Sequence, residues 1–224
     1  MLTKAEGHYA LMGGRAALGI ALQPETVSMA LLSDQSVLIH ETYPFVPDPK
    51  ELLLQSVQDA YRQFEDETFR RFGIGILRLK AAGIVDGTGH LITIDGQTTV
   101  IGGWLHHQLT GQWVLGPTAG ALLPPSLSAD QRPEFLPSGA LGGVLSAEGA
   151  RRLESKTCLF PGAVLCPPEA DTETLLPLPL WGQGLKPAVV IAAIAAYAKE
   201  HFPGETLLDY LTSCFTQNEK EETP

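Results

Sequence analysis

The chain of 224 residues carries 15 Lys+Arg against 25 Asp+Glu, a formal net charge of −10, with 44% hydrophobic and 18% charged residues. That composition supports a packed core and excludes wholesale disorder, while the acidity argues against nucleic acid as a direct partner, since phosphate binding draws on Lys/Arg patches. The three cysteines, Cys158, Cys166 and Cys214, have no CxxC spacing and are too few for a disulfide framework, which fits a reducing compartment. The first five residues, MLTKA, lack the apolar run of a secretory signal. The most lipid-like stretch, 188–198, is about half of the roughly 20 residues a spanning helix needs. The expectation is a soluble, cytoplasmic protein with no membrane partner.

In chain order, residues 1–15 are small and polar with a Gly13-Gly14 pair and read as a loose lead-in. Three β-rich runs follow at 17–22, 26–32 and 37–43, separated by the turn signals Gln23-Pro24-Glu25 and 33–36. They predict an antiparallel meander. Asp48 as N-cap, Pro49 at the first helical position and Glu51 three residues after the cap announce a helix. Its apolar stripe is Leu53, Val57, Ala60, Tyr61 and Phe64, and the charges of 65–71 mark a solvated face or the loop that ends it. The run 72–77 (FGIGIL) predicts a fourth strand, followed by 82–86 (AGIVD), a Gly87-Thr88-Gly89 turn, a strand at 90–94 and a further turn at Asp95-Gly96. A short helix at 104–109, stopped by Thr110-Gly111, precedes a strand at 113–115. This order predicts a mixed sheet with helices on a face.

Beyond Pro117 prolines recur every few residues, and proline removes ladder donors and breaks helices. Only brief elements are expected there: a glycine-rich strand or turn at 139–145 and a short strand at 163–165. Pro187 then opens a helix apolar nearly throughout at 189–201, which must be buried, and ends at 202–204. An amphipathic helix at 205–215 follows it. Residues 217–224 read as a charged tail.

The first half resembles the ROK (repressor, open reading frame, kinase) family of sugar kinases and repressors. Residues 19–26 (GIALQPET) stand where that family has its opening hairpin, G-[IV]-D-[IL]-G-G-T, and 82–86 (AGIVD) is similar to its P-G-[IV]-V-D. Gly102-Gly103-Trp104-Leu105 with Thr110-Gly111 resembles the helix before its catalytic strand, and Gly13-Gly14-Arg15-Ala16 resembles the G-R-P-A ahead of the sensor domain of its repressors. The resemblance implies an α/β fold: an actin-like (ribonuclease H-like) half-domain with a mixed sheet at 16–115, strand order 3-2-1-4-5, and a smaller irregular α/β region at 116–224 whose two helices pack on the first part.

The departures from the family bear on function. Ala21 stands where the kinases have an Asp, and Gln23-Pro24-Glu25 where they have the Gly-Gly turn that holds phosphate through backbone N–H groups; proline has none. The family's E-N-D-A-N-A, whose Asp is the base, is best matched by 116–121 (GPTAGA), which puts the neutral Thr118 in its place. Asp86 and Asp95 are the possible substitutes, each followed by glycine and so equally readable as a turn former. Gly139, Gly142 and Gly143 resemble the family's second phosphate loop, or form a tight bend. The family's His/Cys zinc motif is missing, and no metal or cofactor is implied. His106 and His107 point in different directions on a helix and read as surface residues, His90 follows a turn, and Ser138 has no base that sequence can identify. No GxSxG, P-loop or GxGxxG is present.

Three functions follow. One is a non-catalytic, ROK-like sugar-sensing or regulatory protein that binds a small sugar or sugar phosphate, acting with a protein partner or as a homodimer and without DNA-binding elements of its own. The second is a sugar kinase with displaced catalytic residues. The third is a scaffold that uses an actin-like fold for protein contacts.

Overall fold

The computed structural model describes residues 3–46, 50–200 and 205–216. The start of the chain is not loose: α1 (Lys4–Met12) is a helix closed by a capping box, with the Glu6 amide donating to Thr3 Oγ1 at 3.3 Å and the Thr3 amide to Glu6 Oε2 at 2.7 Å. The Thr-x-x-Glu signal was in the sequence, masked by the glycines around it.

β1 (Ala17–Leu22), β2 (Thr26–Ser33) and β3 (Ser36–Pro44) form the expected antiparallel meander. α2 (Lys50–Phe72) follows; its expected caps Asp48 and Pro49, and the Glu51 side chain, lie outside the described residues. The helix runs straight through the charged stretch, so that of the two expectations the solvated face holds for Asp66, Arg70 and Arg71, whereas Glu65 is buried. It accepts from Thr157 Oγ1 at 2.6 Å, from the Lys156 amide at 2.8 Å and from the Ser155 hydroxyl, the donors a buried carboxylate requires.

The expected fourth strand at 72–77 is not one: Phe72 ends α2 and residues 73–80 are irregular. The strand that joins β1 is β4 (Ala81–Asp86), parallel to it with Gly83 opposite Gly19. β5 (Leu91–Ile94) and β6 (Gln97–Val100) make a hairpin whose turn, Asp95-Gly96, has φ of 53° and 81°. α3 (Ile101–Thr110) begins earlier than its apolar pattern suggests and ends at Gly111. β7 (Val114–Leu115) pairs with β8 (Glu134–Phe135) outside the main sheet, with the single turn α4 (Pro117–Gly120) between them. β9 (Gly143–Val144), the only strand in the glycine-rich run, is followed by α5 (Ala147–Arg152), β10 (Val164–Leu165), α6 (Pro187–Glu200) and α7 (Leu207–Thr216). The helix stop expected at 202–204 and the tail at 217–224 lie outside the described residues.

The main sheet runs β3-β2-β1-β4-β10-β9, so the fifth place belongs to a strand from far along the chain. Its two faces are built from one alternation. In β1, Leu18, Ile20 and Leu22 point into a core with Val57, Tyr61 and Phe64 of α2, while Ala17 and Ala21 face α6. Ala81 and Val85 of β4 face the same helix. Because that face carries small residues, α6 lies almost on the backbone: a Cβ added to Gly19 would sit 1.8 Å from the Ala188 carbonyl oxygen. The nearly uniform burial of α6 follows, as its all-round apolar sequence demands. The fold is an α/β one with a mixed sheet and helices on both faces.

Candidate functional site

In open α/β sheets ligands bind outside the carboxyl ends of the parallel strands. Here those strands are β1, β4 and β10. β10 stops at Leu165 because Pro167 and Pro168 have no N–H to give to the ladder. Pairing resumes one step later: the Glu169 amide donates to the Ile84 carbonyl at 3.1 Å and the Asp86 amide to the Glu169 carbonyl at 2.7 Å. Two acidic residues thereby end neighbouring strands, and both are buried, Asp86 at 1% and Glu169 at 0% exposure.

Each carboxylate is held by donors that a helix or loop would otherwise leave open. Asp86 Oδ1 accepts from the Thr88 amide at 2.9 Å and Thr88 Oγ1 at 2.5 Å, and its Oδ2 from the Gly102 amide at 2.7 Å. It thus caps α3, whose own N-cap, Val100, has no side chain to do so. Glu169 Oε2 accepts from the Thr118 amide at 3.0 Å and Thr118 Oγ1 at 2.6 Å, and Oε1 from Ser138 Oγ at 2.6 Å. Thr118 Oγ1 in turn accepts from the Ala170 amide at 2.9 Å. Burial pushes the Glu169 carboxyl above the usual carboxylate range, and the bonds from Ser138 and Thr118 hold it partly back. Gly116 is required beside it: a Cβ there would sit 2.1 Å from Oε1.

Thr118 and Ser138 each follow a proline, and those prolines belong to the walls of a groove. Pro117, Gly120 and Ala121 face Phe135, Leu136 and Pro137 across an open apolar space of about 620 Å³. Phe135 is 50% exposed, an aromatic face offered to solvent. Ala119, fully buried with Leu115 and Leu123, seats α4 under this wall.

The structure brings Thr118, Ser138 and Asp86 to this end of the sheet around Glu169, which sequence reasoning missed because the Pro-Pro pair disguised a strand. A glutamate placed just after a short apolar run was the available signal. Asp95 is elsewhere, exposed at the tip of the β5–β6 hairpin. Gly139 (φ 74°) lies against Tyr197, the Gly142 amide donates to the Leu165 carbonyl at 2.8 Å, and Gly143 pairs with Leu165; a Cβ on Gly142 would meet the Pro167 nitrogen at 2.8 Å. In the β1–β2 turn the Gln23 amide already donates to the Thr26 carbonyl at 2.8 Å, and Pro24 is exposed. His90 is exposed, but His106 is not the surface residue expected: it is fully buried, within 3.2 Å of both the Gln112 carbonyl and Thr110 Oγ1. Burial lowers its pKa to about 4. His107 stacks on Trp113 with ring centroids 3.9 Å apart. Among the described residues no three His, Cys, Asp or Glu side chains converge as a metal site, and no helix is long and apolar enough to cross a membrane. The three cysteines are free, Cys158 exposed and the other two buried.

No family model matches the chain, and no curated protein matches it. Solved structures do. A xylulose kinase from Rhodospirillum rubrum superposes with a TM-score of 0.54 at 12% identity, covering 70% of this chain and 49% of that one. A gluconate kinase from Lactobacillus acidophilus gives 0.52 at 9% identity, over 70% and 48%. A carbohydrate kinase from Novosphingobium aromaticivorans gives 0.50 at 11%, over 72% and 50%. The fold is therefore the actin-like fold of sugar kinases, and the chain spans about half the length of the kinases it matches.

Proposed function

We propose that the chain binds a small sugar in the groove beside Glu169 and acts as a cytoplasmic, ROK-like sensor or regulator rather than as a phosphoryl-transfer enzyme. The observation that carries the reading is an exposed aromatic and apolar wall whose two prolines lead directly into the half-buried hydroxyls of Thr118 and Ser138, at the carboxyl end of the sheet. Sugars offer the complement of that pair: a C–H face for the ring and hydroxyls for the polar edge. The sugar-kinase-like fold supports the sugar-binding part of this reading, and supports a kinase at least as well. Against phosphoryl transfer stand the β1–β2 turn, where Pro24 has no N–H and the Gln23 N–H is already used, and Thr118, whose hydroxyl donates to Glu169 and takes no proton.

A second reading, a sugar kinase, is favoured by Glu169 itself. It is a carboxylate 2.6 Å from the Thr118 hydroxyl, and would act as general base only once uncovered to reach the sugar hydroxyl. The two part on one experiment. Thermal melts with D-xylose, D-glucose, xylitol and ATP, coupled to an ATP-consumption assay, give a sugar-dependent rise without turnover under the sensor reading. A ligand at 100 times its Kd stabilises by about 2.7 kcal/mol, which for a chain of this size is about 5–10 °C. Turnover lost in Glu169→Gln establishes the kinase instead. Absence of any sugar shift, with Phe135→Ala indistinguishable from the parent, refutes both.

A further inference from the structure

On the reading that the groove is a sugar site, we infer that its ligand is a sugar carrying an apolar substituent, an aryl or alkyl glycoside, with the substituent on the groove walls. The walls offer a ligand almost nothing polar. None of Pro117, Gly120, Ala121, Phe135, Leu136 and Pro137 has a polar side chain. Pro117 and Pro137 have no N–H, and those of Gly120, Ala121 and Leu136 already donate to the carbonyls of Gly116, Pro117 and Leu115 at 2.9, 3.0 and 3.0 Å. The hydroxyls next along the chain are committed as well. Thr118 Oγ1 donates to Glu169 Oε2 at 2.6 Å and accepts from the Ala170 and Asp171 amides at 2.9 and 3.3 Å, which uses its one proton and both lone pairs. Ser138 Oγ gives its proton to Glu169 Oε1 at 2.6 Å, and among the described residues nothing donates to it, so it can only accept from a sugar hydroxyl.

A free monosaccharide suits that surface poorly. It carries a hydroxyl on nearly every carbon, and each one turned from water to an apolar wall without a partner costs free energy. An apolar substituent has the opposite balance. It gains by covering the half-exposed Phe135 and the apolar residues of both walls, while the hydroxyls of the attached sugar stay in water. Size agrees: about 620 Å³ lies within the roughly 300–1,000 Å³ of pockets that take drug-sized ligands, and the open groove lets a sugar project from it.

Isothermal titration of the full chain with phenyl β-D-glucoside, phenyl β-D-xyloside, D-glucose, D-xylose and phenol tests it, in the parent protein and in Phe135→Ala. The expected result is at least one glycoside binding tenfold or more tighter than its free sugar and than phenol, about 1.4 kcal/mol, with the gap to the free sugar several-fold smaller in Phe135→Ala. Phe135 is half exposed, so the variant is expected to keep the far-ultraviolet circular dichroism of the parent. Free sugars binding as tightly as their glycosides overturn the inference while leaving the sugar site in place. A gap unchanged in Phe135→Ala overturns it by putting the substituent elsewhere. If phenol binds as tightly as the glycosides, or nothing binds, the sugar reading falls and this inference with it.

Discussion

Replacing Glu169 separates what holds the site together from what makes it acidic. The carboxylate receives hydrogen bonds from the Thr118 amide, from the hydroxyls of Thr118 and Ser138, and from the Ala119 backbone. In Glu169→Ala the hydroxyls can rotate to other partners, but the partly buried Thr118 N–H cannot, and one unpaired donor of that kind costs about 1–3 kcal/mol. The ties from α4 and from the 135–138 segment are cut as well. In Glu169→Gln the amide oxygen still accepts from the Thr118 N–H, while its NH₂ can donate to Ser138 Oγ. The charge disappears, and with it the desolvation cost that holds the Glu169 pKa above its ordinary value. A group raised in the folded state contributes stability that is present below its unfolded pKa and lost as pH rises through the folded one. At pH 7 Glu169→Gln is therefore expected to be at least as stable as the parent, with Glu169→Ala about 2–4 °C or more below it. The stability of the parent should fall relative to Glu169→Gln as pH rises above the ordinary carboxylate range. Urea melts at pH 5 and pH 8 measure all three proteins. If Glu169→Gln is as unstable as Glu169→Ala at both pH values, the carboxylate is needed for its charge and the reasoning fails.

Three further predictions address other parts of the account. Gly19→Ala would place a Cβ 1.8 Å from the Ala188 carbonyl oxygen, and β1 is paired on both sides, so α6 has to lift; a loss of about 1–3 kcal/mol or more is expected from chemical melts, and a change within error would mean that α6 packs less closely. Gly116→Ala would put a Cβ 2.1 Å from Glu169 Oε1 and displace it; any sugar-dependent thermal shift should vanish while the far-ultraviolet circular dichroism is kept. His106 is neutral and buried with a pKa lowered from 6.5 to about 4, so stability is full above pH 6.5 and is lost as pH falls toward 4. At about 1.4 kcal/mol per pH unit this amounts to about 3 kcal/mol, and the pH slope between 4 and 6.5 should shrink in His106→Gln; an unchanged slope assigns the dependence to another group.

Much of the fold was legible in the residues. ALGIAL at 17–22 spells the alternation that puts large side chains toward α2 and small ones under α6, and AAGIVD at 81–86 repeats the small face with Gly83 beside Gly19. The unbroken apolar run of α6 foretold its burial for the same reason. The misreadings came from local patterns overruled by tertiary contacts. FGIGIL at 72–77 alternates like a strand, yet its first residue completes α2 and the rest finds no ladder partner. The site was only half legible. Asp86 and Thr118 stood out by comparison with the ROK pattern, whereas Glu169 follows two prolines that end the hydrogen-bonded run, so nothing local announces that it lines up with Ile84 and Asp86 two strands away from the hairpin. Glu65 was misjudged likewise: its donors lie about ninety residues on, in the 155–157 loop.

The central claim is that a sugar occupies the groove between α4 and β8 beside Glu169. Titration of the ¹⁵N-labelled protein with D-xylose and D-glucose, followed by amide NMR, reads the location directly. The account predicts concentration-dependent shifts concentrated at Thr118, Gly120, Phe135, Ser138 and Ala170, absent in Phe135→Ala. Saturable shifts confined to another surface, such as the pocket of about 280 Å³ lined by Tyr9, Arg15 and Ser33, or no shifts at all, would contradict it.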